Sequence, residues 1–575
     1  MVLRQPPERK RAITPPQSTD ALPLRTEPFR WDHQRIAHVF DCFHDPDPPL
    51  SQRQFAQQHD LPRSTLGSWL RQDQPEDLDP TLVSFFRSSC GLAFLRRVVL
   101  ALFLVFTFRG CSGLRSLGLF LRLTQLDRFV ASSHGALHDL AQTLQADLGM
   151  FAEEERSRLA QGMPPKDIAL VADEHFHAQD PCLVAIEPAS NFILVEQYAA
   201  HRDAATWTTV LTQALHGLPV TVVLLTSDQA KGLICCANTG LQAQHLPELF
   251  HGQHDLALPF TGPLQRKKES AQKELRETEE MLQNWYDEQT QAKRHPDCAK
   301  KIDLLVTWVG IYTRELNACE ARCQQAKDAV TGLADVYHPF DSTTGVAVSA
   351  DEVRQRLDKH LATLEEVARK ANLADQATVA VGKAQTWTRS LVAAVAWFWA
   401  VATTKVEGLS LSEQAERVVH EQLLPGLYWQ QAARRGRTAD ERRTRQELSE
   451  GLLRQAWQTD GALGQLPEAE RREVQRKGKE IVGLFARSSS CVEGRNGRLS
   501  LAQHGQCRLG PARLKALTTI HNYVSEREDG TTAAERFFGA KPRDVFAWLL
   551  KRLPDLPRPA AKRPRKELQA TLGPG

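Results

Sequence analysis

Short apolar runs that end in acids mark the stretch from Asp167 to Gly232. Asp167-Ile-Ala-Leu-Val-Ala-Asp173 reads as a strand and is followed by Glu174, His175, Phe176 and His177. A second run, Leu183 to Ile186, passes through Glu187-Pro188-Ala189-Ser190-Asn191 into a third, Phe192 to Val195. Pro and Asn between two β-prone runs predict a hairpin. Asp203 suits a helix N-cap, because Trp207, Val210, Leu211 and Leu215 follow at helical spacing before Gly217-Leu-Pro219 closes the helix. Val220 to Ser227 is apolar enough for a buried central strand, and Asp228 stands at its end, ahead of a helix-like Ala230 to Ala237. Two aspartates therefore end two strands. Any single Asp after an apolar run usually does no more than end it; the shared hairpin-then-crossover pattern is what points to chemistry. Carboxylates at neighbouring strand ends make the oxygen-rich environment that Mg²⁺ prefers, and paired ions of this kind clamp the attacking and leaving oxygens of a phosphodiester.

Elsewhere the pattern is mainly helical. Residues 1–28 are basic and proline-rich without an apolar core, which predicts a disordered head and no secretory signal. Within 29–75, Trp31 to Phe43 has helical periodicity and Ser51 to Arg71 resembles a helix-turn-helix. Phe55 and Ala56 would pack inward, Leu61 would plug the turn, Ser64 would cap the second helix, and Leu66, Trp69 and Leu70 would bury its inner face. Arg63, Thr65, Ser68 and Arg71 are then left to face a major groove or its phosphates. A helical hairpin that touches no DNA is the plainer reading of the same residues. Residues 80–160 form a helical region in which Gly113 to Leu137 repeats the pattern weakly, as a second helix-turn-helix or as ordinary packing. Val98 to Phe108, between Arg97 and Arg109, is too short for a bilayer, which needs about 20 apolar residues, and predicts a buried helix.

Leu246 to Phe250 reads as a short strand with His251 and His254 in the following loop, placed either to contact phosphate or simply to be hydrogen-bonded. From 261 to 480 long helices are expected: Lys267 to Lys293 as a coiled-coil arm or a solvated helix, a loop from His338 to Gly345, and Thr386 to Val406 as a buried core with Trp387, Trp397 and Trp399. The charged run from Arg434 to Arg445 suits a solvated helix face or the DNA backbone. The tail, 553–575, is proline-rich and basic, with Arg558, Lys562, Arg563, Arg565 and Lys566, and is expected to stay disordered and to bind polyanions nonspecifically.

Composition narrows this little. At 575 residues the chain is too long for one core, and 42% hydrophobic with 25% charged residues is ordinary for a soluble protein. A net charge of +3 does not itself mark a nucleic-acid binder, so the placement of charges must carry that case. Eleven cysteines lack zinc-finger spacing and read as reduced thiols of a cytoplasmic protein.

The order of strand, hairpin, helix and strand, with acids on the first and last strands, resembles the ribonuclease H-like core of DDE transposases of bacterial insertion sequences. The resemblance extends to Ser489-Ser-Cys-Val-Glu-Gly-Arg-Asn-Gly-Arg-Leu499, similar to the helix that carries the last acid in that superfamily. It also covers His521-Asn522-Tyr523 and the Asp529 to Arg536 stretch, of a kind found near the ends of such enzymes. What the resemblance implies is an α/β ribonuclease H-like core in two parts, 165–260 and 481–552, interrupted by the all-α insertion at 261–480. It implies Asp173, Asp228 and Glu493 as catalytic residues and as ligands of two Mg²⁺ ions, with Mn²⁺ as a substitute. The implied activity is metal-dependent cleavage at element ends and strand transfer into target DNA. Double-stranded DNA would be the partner and a homodimer or higher oligomer the acting form, cytoplasmic, on the nucleoid and not in a membrane. Arg495, Asn496 and Arg498 would contact DNA at the scissile step. Two other readings stay open: a catalytically inactive or domesticated DNA-binding derivative, and a metal-dependent nuclease that never joins ends.

Overall fold

The computed structural model describes residues 39, 42, 43, 50–70, 78–177, 180–290, 296–487, 489–506 and 509–559. Most of Trp31 to Phe43, the head, Arg71 and the tail lysines and arginines from Lys562 onward lie outside these, as do the side chains of Ser68, Trp69 and Leu70. The chain divides into two compact units, one of residues 1–99, 125–131 and 554–575, the other of 100–124 and 132–553.

In the first unit, helices Gln52–Gln58 and Arg63–Leu70 occupy the expected helix-turn-helix. Ser51 opens the first with a capping box, accepting from the Gln54 N–H at 3.4 Å while the Gln54 side chain accepts from the Ser51 N–H at 3.0 Å. Asp60 turns the chain with φ 50°, and Phe55, Ala56, Leu61 and Leu66 are buried together with Val39. Ser64 is not the cap. The second helix starts at Arg63, and the Pro62 carbonyl already accepts from Thr65 and Leu66, so Ser64 sits inside the first turn, exposed. Arg63 is exposed and Thr65 half-buried.

The apolar run at Val98 is longer than it looked. Ser89–Leu102 continues without a break into a π-helical turn, Phe103–Arg109, giving 21 residues that are long and apolar enough to cross a membrane by length and composition. Leu95, Val99, Leu100, Phe103 and Phe108 within it are buried in protein.

The second unit is built on a five-stranded sheet of order β3-β2-β1-β4-β5. β1 (Lys166–His177), β2 (Asp180–Glu187) and β3 (Phe192–Tyr198) form an antiparallel meander. Its tight turn is held by the Glu187 carboxylate, which accepts from the Ala189 and Ser190 N–H groups at 3.0 and 2.7 Å, and by Asn191 at φ 65°. Asp203 caps helix Ala204–Leu215, accepting from the Thr206 N–H at 2.8 Å, and Gly217 at φ 75° ends the crossover. β4 (Val220–Ser227) then lies parallel to β1, and β5 (Gln244–Pro247) parallel to β4.

The expected strand at Leu246 to Phe250 is corrected: β5 stops at Pro247, and Leu249 opens a 41-residue helix, Leu249–Gln289. His251 and His254 are therefore helical and not in a loop, and the helix runs on through Pro259 and Pro263. It pairs antiparallel with Cys298–Val336, as Gln253 meets Val330, Lys268 meets Glu320 and Cys298 meets Trp285. The pair makes an arm of about 60 Å at 1.5 Å per residue. Helices Ala350–Lys370 and Asp375–Glu407 pack beside it, and the second buries Trp387, Leu391, Val395 and Phe398. Sheet residues Val171, Val184 and Leu224 share one hydrophobic core with Leu256, Leu333 and Phe398 of these helices and with Trp429 of helix Leu424–Ala433, so sheet and helical segment are not separate bodies. The Arg434 to Arg445 run is largely satisfied locally: Arg443 pairs with Asp440 at 2.9 Å, Arg445 with Glu441, and Arg435 donates to the Pro188 carbonyl at 3.2 Å.

β3 is an edge strand, and its exposed ladder is closed by a side chain. Asn522, in helix Pro511–Tyr523, accepts from the Ile193 N–H at 3.0 Å and donates to the Ile193 carbonyl at 3.0 Å, as a neighbouring strand would. His521 contacts the Asn191 carbonyl at 2.9 Å, and the Tyr523 ring packs on Phe151 and Phe192. Asn522→Leu leaves both Ile193 groups buried and unpaired and is expected to cost about 2–6 kcal/mol in urea unfolding, at about 1–3 kcal/mol per unsatisfied group. A cost below about 0.5 kcal/mol would show that the edge does not depend on this side chain.

Candidate active site

The last paired residues of β1 and β4 in register are Val171 and Thr226, and two residues beyond each come Asp173 and Asp228. Adjacent strands lie about 4.8 Å apart, which sets the two acids side by side. Asp228 follows the end of β4, but Asp173 does not end its strand as expected, because β1 stays paired with β2 from Asp173 opposite Val184 on to His177. Both are half-buried. Asp173 accepts from the Glu174 N–H at 2.8 Å, and Asp228 from the Ala230 N–H at 3.1 Å. Burial pushes the Asp173 carboxyl up to about 6; the Glu174 N–H opposes this, and the neighbouring Asp228 charge adds to it. An acid held so close to neutrality beside another acid suits a group that a cation takes over.

A third carboxylate, absent from the sequence expectations, is Glu248. It precedes the first turn of the Leu249–Gln289 helix, donates its N–H to the Ser227 carbonyl at 2.8 Å, and is buried. One of its oxygens accepts from the Ser489 N–H at 2.9 Å and from the Ser489 hydroxyl; the other pairs with His251 Nδ1. Burial alone would lower the His251 imidazole, but the Glu248 carboxylate, with Asp173 and Asp228, raises it above its ordinary value. His251 thus stands beside the acids with its protonated form favoured. His254 is not part of this group; it is exposed and lies 3.6 Å from Asp255.

Glu493 sits in the first turn of helix Ser490–Gln506, exposed, and accepts from the Ser489 hydroxyl at 3.4 Å. The helix continues through Gly494 and Gly497 without a break. Its preceding segment is tied to the sheet, since Thr226 donates to the Ala486 carbonyl at 3.3 Å. Ser489 therefore links the Glu248 and Glu493 carboxylates across the long interval. Asp173, Asp228 and Glu493 are nevertheless not within the shared reach of one ion as they stand: among the described residues, only His175, His177 and Cys182 bring three possible donors within 4.8 Å of one another.

The neighbours of Glu493 divide. Arg495, expected at DNA, turns inward and is buried: its Nε and Nη2 donate to the two oxygens of Glu196 at 2.7 and 2.5 Å. Helical period places residues two apart on different sides, so Glu493 and Arg495 cannot both face solvent here. Asn496 is half-buried with an unpartnered Oδ1, while Arg498 is exposed.

Away from the acids, a cavity of about 710 Å³ opens at the other end of β1, with Lys166, Arg434, Arg435, Arg476, Arg527 and Arg536 in its wall. Seven residues of strand, about 23 Å, separate Lys166 from Asp173, so this basic hollow is no part of the carboxylate site.

Residues 419–565 match the model of a family of unknown function, DUF6399. The matched span takes in Ser489, Glu493, Arg495 and Asn522 and begins after Asp173, Asp228 and Glu248. No curated protein and no solved structure matches the chain.

Proposed function

We propose that the chain is a DDE-type transposase, which cuts DNA at the ends of its element and joins the freed ends to target DNA. The observation that carries this reading is the β1–β4 pair: parallel neighbours in the β3-β2-β1-β4-β5 sheet, each with a half-buried aspartate two residues past their last mutual pairing, Asp173 still within β1 and Asp228 just after β4, with the Ser490–Gln506 helix packed against β1. The hairpin-then-crossover order supports a ribonuclease H-like core, and the all-oxygen donor set fits Mg²⁺ or Mn²⁺. Asp173 and Asp228 would hold the ions, with the third carboxylate drawn from the Ser489-linked pair of Glu248 and Glu493. Divalent ions bound there would lower the pKa of water or of a 3′-hydroxyl and neutralise the charge that develops on phosphorus. Ser489 lies between the two glutamates, and His251, whose protonated form the acids favour, would donate an N–H to a phosphate oxygen. Exposed Arg63, with half-buried Thr65 beside it, would supply the face of the helix-turn-helix that docks to duplex DNA.

The test uses the full chain, Mg²⁺ and DNA that carries the sequences bracketing its coding region. Nicks with free 3′-hydroxyls followed by joined products are expected; nicks that are never joined would favour the nuclease reading. Removal of residues 1–75 is expected to lower the preference for element ends over random DNA in competition binding. Removal of 560–575 is expected to weaken binding to both about equally and to flatten its salt dependence. An unchanged end preference after the first truncation would remove the helix-turn-helix from the account.

A further inference from the structure

We propose that His175, His177 and Cys182 form a binding site for a transition-metal ion of the zinc class, distinct from the carboxylate site. The pairing of β1 with β2 sets His175 directly opposite Cys182, and His177, two residues on, shares the face of His175. Their donor atoms lie within 4.8 Å of one another, and the two imidazole centroids are 4.6 Å apart. Zinc–nitrogen and zinc–sulfur bonds of about 2.0–2.3 Å put tetrahedral donors roughly 3.5 Å apart, which small χ adjustments would reach.

A second observation is independent of this spacing. Both ring nitrogens of His175 are buried and neither has a hydrogen-bond partner. An imidazole left in that state is destabilised by its buried, unsatisfied groups, and a metal bond would satisfy one of the two nitrogens. His177 is arranged in the way metal-binding histidines are. Its Nδ1 lies 2.6 Å from the Tyr198 hydroxyl, and that hydroxyl donates its own proton to the Leu509 carbonyl at 2.8 Å. Tyr198 must therefore accept from His177 Nδ1–H, which fixes the tautomer and leaves the Nε2 lone pair free for a ligand bond. Tyr198 itself stands across from Cys182 in the β2–β3 register, so three adjacent strands contribute to the site.

A soft thiolate with two imidazoles selects Zn²⁺ over Mg²⁺ and leaves a fourth position for water. On binding, the Cys182 S–H bond breaks, its proton passes to solvent, and the sulfur electron pair forms the bond to the metal. The ion would pin the end of the β1–β2 hairpin two residues beyond Asp173.

The test takes the full chain, stripped with chelator and reloaded with Zn²⁺ or with Co²⁺ alone. About one Zn²⁺ per chain is expected. Co²⁺ is expected to give a thiolate-to-cobalt charge-transfer band in the near ultraviolet together with strong tetrahedral bands in the visible. Cys182→Ser should remove the charge-transfer band, and Tyr198→Phe should weaken the metal by roughly 10- to 100-fold while keeping it. Asp173→Asn and Cys298→Ser, the latter a buried cysteine elsewhere, should leave the band unchanged. Should Cys182→Ser fail to fold by circular dichroism, the band in the native chain and its weakening in Tyr198→Phe decide the matter. Folded native chain that takes up no Zn²⁺, Co²⁺ bound without a thiolate band, or a band that survives Cys182→Ser would overturn the proposal.

Discussion

Asp173→Asn and Asp228→Asn are each expected to lower DNA cleavage by roughly a thousandfold or more while leaving binding to element ends within about twofold. Metal ions supply several kcal/mol of transition-state stabilisation, and each 1.36 kcal/mol is tenfold in rate. An amide keeps the size of the carboxylate and its acceptor for the Glu174 or Ala230 N–H, but loses the charge that retains a divalent ion. Folding should not suffer. Replacing Asp173 removes a buried acid whose ionisation the fold already opposes, so melting temperatures equal to or slightly above that of the native chain are expected. Cleavage within tenfold of the native rate in either variant would show that these aspartates merely end their strands.

Arg495→Met is expected to lower global stability by about 3–5 kcal/mol, the usual cost of removing one partner of a buried ion pair. Arg495 and Glu196 side chains are 3% and 0% exposed, and Thr518 donates a further hydrogen bond to the same carboxylate. Burial by itself would push Glu196 up, but the Arg495 charge and the bonds from Arg495 and Thr518 outweigh it and hold the carboxyl below its ordinary range. The sign for pH follows. A carboxyl depressed in the folded state contributes stability above its unfolded pKa, and that contribution is lost as pH falls through the folded value. In Arg495→Met the Arg495 charge and bonds are gone and burial is opposed by just the Thr518 bond and the nearby His521, so mild acid should recover stability instead of reducing it. Arg495→Met combined with Glu196→Leu should restore most of the loss, because no charge is then left stranded. Urea unfolding of the four forms measures this; a single-variant cost under about 1 kcal/mol would return Arg495 to the role of an exposed DNA contact.

Local signals in the chain marked the local features of the site, and contacts across hundreds of residues made the rest. Apolar runs ended by Asp173 and Asp228, and Pro188 with Asn191 between β-prone segments, sufficed to mark strands and a hairpin, because strand period and turn chemistry are written within about ten residues. The helix after β5 departs from the expected strand and loop because the apolar run Leu246 to Phe250 reads locally as a strand, while tertiary packing of Leu256, Phe260 and Leu264 carries a helix from Leu249 through Pro259 and Pro263. Glu248 gave no local signal at all. Its role comes from Ser489, distant in sequence and fixed only by the fold. Arg495 was taken for a DNA contact because a cation beside Glu493 looks functional, and its true partner, Glu196, lies on β3. The His175, His177 and Cys182 cluster has no metal-finger spacing in the sequence because its donors face one another across a strand pair.

Manganese binding tests the central claim most directly. Full chain, with the His175, His177 and Cys182 site first filled with Zn²⁺, is titrated with Mn²⁺ and free ion is followed by electron paramagnetic resonance. About two Mn²⁺ per chain are expected in the presence of DNA. Because Asp173 holds its proton up to about 6, Mn²⁺ affinity should fall as pH is lowered below that value, by up to about tenfold per unit. Asp173→Asn and Asp228→Asn should each abolish tight binding. Comparing Glu248→Gln with Glu493→Gln identifies the third ligand as the one whose loss weakens Mn²⁺. Tight Mn²⁺ binding that survives both aspartate substitutions, or none in the native chain with its DNA, would contradict the strand-end carboxylates as a catalytic metal site.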